Sequence, residues 1–221
     1  MLFALRQPAT LLGLALGYVA GLVALTAVVR RFERAARGPG AWWQPQTWLD
    51  PYAAVGALLA GTGWAPRPSV RRGFGSSENR RLWIVAGLSV LVPGVLAAAG
   101  IAGYLASEGR GLLPFFGTTS VLHGSQVVAG STVQRIALGF GTENLAMALL
   151  SVVPIPPLAT GVAVWSTLPR NAGSRRFAYH LLEEQWGIVV LLVLLIVPLA
   201  GEQPALLQLV ASVADRIVHA L

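Results

Sequence analysis

Cysteine and lysine are both missing from this chain of 221 residues, histidine occurs 3 times, and charged residues make up only 11%. Without cysteine there are no disulfides, no thiolate metal ligands and no cysteine nucleophile. The scarcity of charge accompanies 55% hydrophobic residues and a mean hydropathy of +0.65, which points to a single-domain membrane protein rather than a water-soluble one. The formal charge of +7 rests on arginine alone on the basic side. Nucleic-acid binding would need that charge on a water-facing patch with aromatic side chains for stacking. Here the arginines stand between apolar runs, so the lipid bilayer is the expected partner and nucleic acid is not. Arginine to the exclusion of lysine, with abundant Ala and Gly, fits a GC-rich bacterial genome and hence a bacterial cytoplasmic (inner) membrane.

Crossing a hydrocarbon core of roughly 30 Å takes about 20 helical residues. Four runs approach that length: 11–29, 82–105, 144–165 and 182–200. The first ends on Arg30 and Arg31 with no small-residue cleavage site behind it, so it reads as a retained helix rather than a secretory signal. The apolar stretch from Tyr52 to Ala60 is too short to cross. It is bracketed by Asp50-Pro51 and Gly61-Thr62-Gly63, which makes 50–63 an interfacial or re-entrant segment. Within 204–221, Leu206, Leu207, Leu209, Val210, Val213, Ile217, Val218 and Leu221 recur at helical spacing and predict an amphipathic or packed terminal helix. The expected fold class is therefore all-α, a polytopic bundle of about four transmembrane helices forming one domain over 1–221.

Short cytoplasmic loops retain positive charge during insertion. Arg30, Arg31, Arg34, Arg37, Arg67, Arg71, Arg72, Arg80 and Arg81 lie between the first two spans, and Arg170, Arg175 and Arg176 between the last two. The N-terminus is accordingly expected outside. Trp42, Trp43, Trp48, Trp64, Trp83, Trp165 and Trp186 fall on the same cytoplasmic side, where indoles favour the headgroup region.

Ionisable groups at membrane depth are costly and mark function when present. Glu143, beside Asn144 at the outer end of the third span, reads as an interfacial carboxylate near a helix start. His180 stands three and four positions before Glu183 and Glu184, on one helical face. That pattern reads as a polar juxtamembrane helix start, since catalytic zinc takes about three protein ligands and the other histidines, His123 and His219, belong to outer segments. A hydrolase with its active site around His180 or Glu143 is the alternative. Ser125, Ser131 and Thr132 accompany His123 without an Asp or Lys to complete a nucleophilic set. A channel would need a charged pathway, an internal repeat or paired broken helices; the cluster Pro154, Pro156 and Pro157, expected to break the third helix, is the only helix break of that type in the sequence.

The third span reads Asn144-Leu-Ala-Met-Ala-Leu-Leu-Ser151-Val-Val-Pro154-Ile-Pro156-Pro157-Leu158-Ala159-Thr160-Gly161. It resembles the string N-L-x-L-x-L-x-N-L-L-P-I-P-P-L-D-G of the site-2 protease family of intramembrane zinc metalloproteases. Leu49-Asp50-Pro51 and Gly63-Trp64-Ala65-Pro66-Arg67-Pro68-Ser69-Val70 are similar to that family's L-D-P and G-W-A-K-P-V-P-V segments, and the resemblance covers most of the chain in the same order. In active members the first span carries H-E-x-x-H, two zinc-binding imidazoles with a general base between them. The resemblance places Gly21, Leu22 and Leu25 at those positions, Ala159 at the third ligand and Ser151 at the neighbouring Asn. No His or acidic residue occurs between Arg6 and Arg30, so shifting the match along the first span recovers no ligand. The resemblance thus implies a catalytically inactive member with no metal and no cofactor. It implies an accessory subunit or scaffold that binds another integral membrane protein in a groove made by Gly13, Gly17, Gly21, Asn144, Ser151, Pro154, Pro156 and Pro157. Glycines four positions apart let helices approach closely, and they serve equally for packing within the chain's own bundle.

Overall fold

The computed structural model describes residues 5–33, 50–68, 76–107, 121–122, 130–168, 179–181, 186–198 and 204–219, and the regular structure among them is helical throughout. In chain order its principal elements are α1 (Pro8–Glu33), α2 (Pro51–Ala60), α3 (Ser76–Ala106), α4 (Thr132–Val152), α5 (Ala159–Thr167), α6 (Trp186–Ile196) and α7 (Ala205–His219).

α1 and α3 are long and apolar enough to cross a membrane. Their 26 and 31 residues reach about 39 and 46 Å at 1.5 Å per residue. Both turn large apolar side chains outward: Leu12, Leu16, Val19 and Val23 form a stripe on α1, and Leu91 and Val95 on α3 are each 61% exposed. α2 is inverted relative to a helix of a water-soluble protein. Its small residues Ala53, Gly56, Ala57 and Ala60 face inward, while Tyr52, Val55, Leu58 and Leu59 face outward.

α4 is the axis of the bundle and packs against α1, α3, α5 and α7. A capping box starts it: Ser131 Oγ accepts from the Gln134 amide at 3.3 Å, and Gln134 Oε1 accepts from the Ser131 amide at 2.7 Å. The Gln134 side-chain amide also donates to the Ser107 carbonyl, tying the end of α3 to the start of α4. Glycines set the helix spacing. A Cβ on Gly100 would stand 2.7 Å from the Gly141 backbone, and one on Gly13 would stand 2.3 Å from the Ile136 carbonyl oxygen, so neither helix pair tolerates a side chain there.

The third expected span is broken at its prolines and starts earlier than its apolar run. The run 144–165 is not one helix: α4 begins at Thr132, ends at Val152, and α5 resumes only at Ala159. Pro154, Pro156 and Pro157 have no amide hydrogen to donate and break the ladder. The freed carbonyls are taken up by side chains, Ser151 O by Thr160 Oγ1 at 2.6 Å and Pro154 O by Trp165 Nε1 at 3.0 Å. Such replacement is what lets a broken helix persist inside apolar surroundings. Thr160→Val should leave the Ser151 carbonyl unsatisfied and cost about 1–3 kcal/mol, read as a fall of roughly 3–8 °C in Tm by tryptophan fluorescence in detergent. Of the run 182–200, the described residues hold α6 over Trp186–Ile196, 11 residues or about 16 Å. The segments 50–63 and 204–221 hold α2 and α7 where the sequence places them.

α2 is delimited as its sequence dictates. Asp50 caps it, accepting from Tyr52 N at 2.9 Å, and Gly61 closes it in the left-handed region at φ 90. The other Asp50 oxygen accepts from Trp64 Nε1 at 3.0 Å, which folds the segment after α2 back over its start. Trp64 is thereby buried among Ala53, Ala60, Leu150, Leu158, Leu191 and Leu195.

Candidate functional site

Four parts of the chain meet at a small cavity of about 10 Å³, room for about one water molecule. Leu25 and Val29 reach it from α1, Ser89 from α3, and Ser151, Leu158 and Ala159 from the broken end of α4 and the start of α5. Trp64, Ala65 and Pro66, on the segment after α2, complete the wall. Each hydroxyl at the cavity donates to its own helix, Ser89 Oγ to Val85 O and Ser151 Oγ to Met147 O, both at 2.8 Å. Each therefore offers the cavity only acceptor lone pairs. The rest of the lining is apolar or backbone.

Of the positions singled out for a zinc site, Leu25 and Ala159 share this cavity, and Ser151 lines it as well. Gly21 faces α4, where a Cβ would lie 2.7 Å from Met147 Sδ and 2.9 Å from Asn144 Oδ1. Leu22 is core, packed with Leu25 and Met147.

The glycine stripe does not form an open groove. Gly13, Gly17 and Gly21 meet α4 at Ile136, Phe140 and Met147, so their close-packing surface is already covered by the chain itself. Asn144 is buried there and donates from Nδ2 to the Gly17 carbonyl at 3.2 Å and the Phe140 carbonyl at 3.0 Å. Pro156 and Pro157 are buried as well, with Pro156 beneath α6, where a Cβ on Gly187 would stand 2.2 Å from its oxygen. Of the predicted groove residues, Pro154 remains exposed, next to Val152 at 52%.

Glu143 requires a correction: it is not interfacial. It is fully buried within α4, with its Cβ against Gly17. The carboxyl lies beside the Thr62 hydroxyl and the Gly63 amide, but neither carboxyl oxygen completes a hydrogen bond of good geometry, and the hydroxyls of Thr62 and Tyr18 are likewise buried without partners. Sequence reading missed Tyr18 and Thr62 because nothing local distinguishes them from ordinary helix and turn residues. The adjacency of Gly17 and Tyr18 on a helix facing the one containing Glu143 was the available signal.

His180 is exposed, its ring edge-on to Tyr179 at a centroid distance of 6.0 Å. Glu183, Glu184, His123 and Ser125 lie outside the described residues, as does the side chain of His219. Ser131 is engaged as the α4 cap. Among the described residues no three His, Asp or Glu side chains come together. No family model, curated protein or solved structure matches the chain.

Proposed function

We propose that this chain is a catalytically inactive, site-2-protease-like protein of a bacterial cytoplasmic membrane, serving as an accessory subunit or scaffold for another integral membrane protein. The observation that carries this reading is convergence. Two segments that resemble the family separately in sequence, Trp64-Ala65-Pro66 and Ser151 through Ala159, line one cavity together with Leu25 of the first span, the position that the resemblance gives to a zinc ligand. Chance likeness between apolar runs gives no reason for such segments to meet at one point. Leucine, alanine and serine at that point pack without the cost that unpaired buried ligands would carry.

A multi-pass membrane setting is supported by the outward apolar stripes on α1, α2 and α3. Contiguous exposed apolar surface on that scale marks contact with lipid or protein. The arginine distribution supports an outside N-terminus. In this reading the partner's helix engages the exposed flank of the break, at Val152 and Pro154, rather than the glycine stripe that α4 covers.

Gentle solubilisation of the tagged native chain, with mass spectrometry and metal analysis on one sample, tests the proposal. The expected result is one stoichiometric integral membrane protein and far less than one zinc per chain. A photo-crosslinking residue at Val152 should capture that protein, and one at Leu91, on the outer face of α3, should not. Stoichiometric zinc without a partner would overturn the reading.

A further inference from the structure

Two buried carboxyls invite comparison. Glu78, near the start of α3, is held in an ion pair by Arg81 at 2.6 Å. Glu143 has no exposure at all and no arginine or histidine partner among the described residues. Removing an isolated carboxylate from water without a compensating charge or full hydrogen bonding is prohibitively costly. Something must therefore compensate Glu143 in the folded protein.

Its surroundings state what chemistry that is. Thr62 after α2 acts on the Glu143 carboxyl, the carboxyl in turn acts on Tyr18 of α1, and both residues bury hydroxyls that have no hydrogen-bond partner. Both Glu143 oxygens are also unpartnered, so three elements contribute oxygen atoms with unused capacity to one interior region. A set of one carboxylate and neutral oxygens suits a hard cation. With a single positive charge its sum is zero, whereas a divalent ion would leave net charge in an apolar interior.

We propose that Glu143, Tyr18 and Thr62 form an internal site that takes up one positive charge from water, as a proton or an alkali cation, and that uptake locks α1, α4 and the segment after α2 together. The proposal does not depend on any family resemblance. Of the titratable or charged groups on elements packed around α4, Tyr18 and, through it, Asp50 belong to this cluster. The chain's α-amino group acts on the carboxyl, whereas Arg30 and Arg31 on α1, Glu78, Arg80, Arg81 and Tyr104 on α3, Asp215 and Arg216 on α7, and Arg135 on α4 itself do not. Thr62 precedes Gly63 and Trp64, and Trp64 walls the cavity, so loss of the charge would be felt there as well.

The test is thermal unfolding of the purified full chain in detergent from pH 6 to 9, in choline chloride and then in NaCl or KCl at equal ionic strength. If the folded chain holds a proton that the unfolded chain releases, it binds more protons than the unfolded state, and stability falls as pH rises. The expected fall in choline is roughly 5 °C in Tm, and Glu143→Gln, a neutral isostere, should flatten it. Recovery at pH 9 on adding Na⁺ or K⁺ assigns the charge to the alkali ion, and no recovery assigns it to the proton. An infrared pH-difference spectrum of the native chain, which needs no variant, should show a carboxyl whose ionisation depends on pH or on alkali cation. A carboxyl ionised throughout in choline, or Glu143→Gln and native chains with the same pH and salt dependence, would overturn the proposal. The compensating charge would then come from elsewhere in the chain, such as its own α-amino group.

Discussion

Gly13→Leu is expected to abolish accumulation of folded protein, while Gly87→Leu accumulates like the parent. Both glycines sit inside long apolar helices, and no local rule separates them. A Cβ on Gly13 would lie 2.3 Å from the Ile136 oxygen and 2.9 Å from its Cα, and these are backbone atoms that move only if α1 and α4 separate. Overpacking costs about 1–3 kcal/mol where side chains can give way; against backbone, at the contact that sets the α1–α4 spacing, at least about 4 kcal/mol is expected. A Cβ on Gly87 meets nothing within 4 Å, and its replacement recovers up to about 1 kcal/mol of helix propensity. Membrane abundance and Tm in detergent check the pair. Equal behaviour of the two variants would mean that the α1–α4 contact is misplaced.

The second large effect is a gain. Gly21→His, Leu25→His and Ala159→Asp, combined with Met147→Ala to clear the sulfur 2.7 Å from a Gly21 Cβ, should give a chain that binds about one zinc where the parent is expected to bind far less, since three protein ligands and a water complete a tetrahedral site. Leu25 and Ala159 already line one cavity, and Gly21 lies one helical turn before Leu25 on the face turned to α4. Zinc content by metal analysis and zinc-dependent stabilisation of Tm are the readouts, with Leu25→His alone as control. If the combined variant folds yet binds no more zinc than the control, the three positions do not share a centre. The placement of the degenerate ligand positions would then fail.

Much of the local structure was legible because its causes are local. Asp50-Pro51 starts α2 through a side-chain cap and a preset φ, Gly61 ends it in a conformation other residues resist, and the spacing of apolar residues after Pro204 makes α7. The break in the third span was legible in its prolines, but its start was not, because the less apolar turns from Thr132 to Glu143 fall outside the hydropathic run. Apolar character runs on through Pro154 to Pro157, but the hydrogen-bond ladder does not. Glu143 was misjudged for a related reason. Its position near one end of an apolar run placed it at an interface, whereas α4 extends back to Thr132 and carries it into the interior.

The sequence by itself determined the membrane-like composition, the absence of any His or acidic side chain between Arg6 and Arg30, and the start and stop of the short elements. Those properties reside in residue identities and in contacts between near neighbours, so no folding is needed to read them. The tertiary structure alone decided which surface the glycine stripe covers, which distant positions share a cavity, and which carboxyl is sealed from water. These depend on segments far apart along the chain. Asn144 donates to the Gly17 carbonyl across 127 positions, and the helix faces brought together by such contacts are selected by packing that neither segment specifies alone.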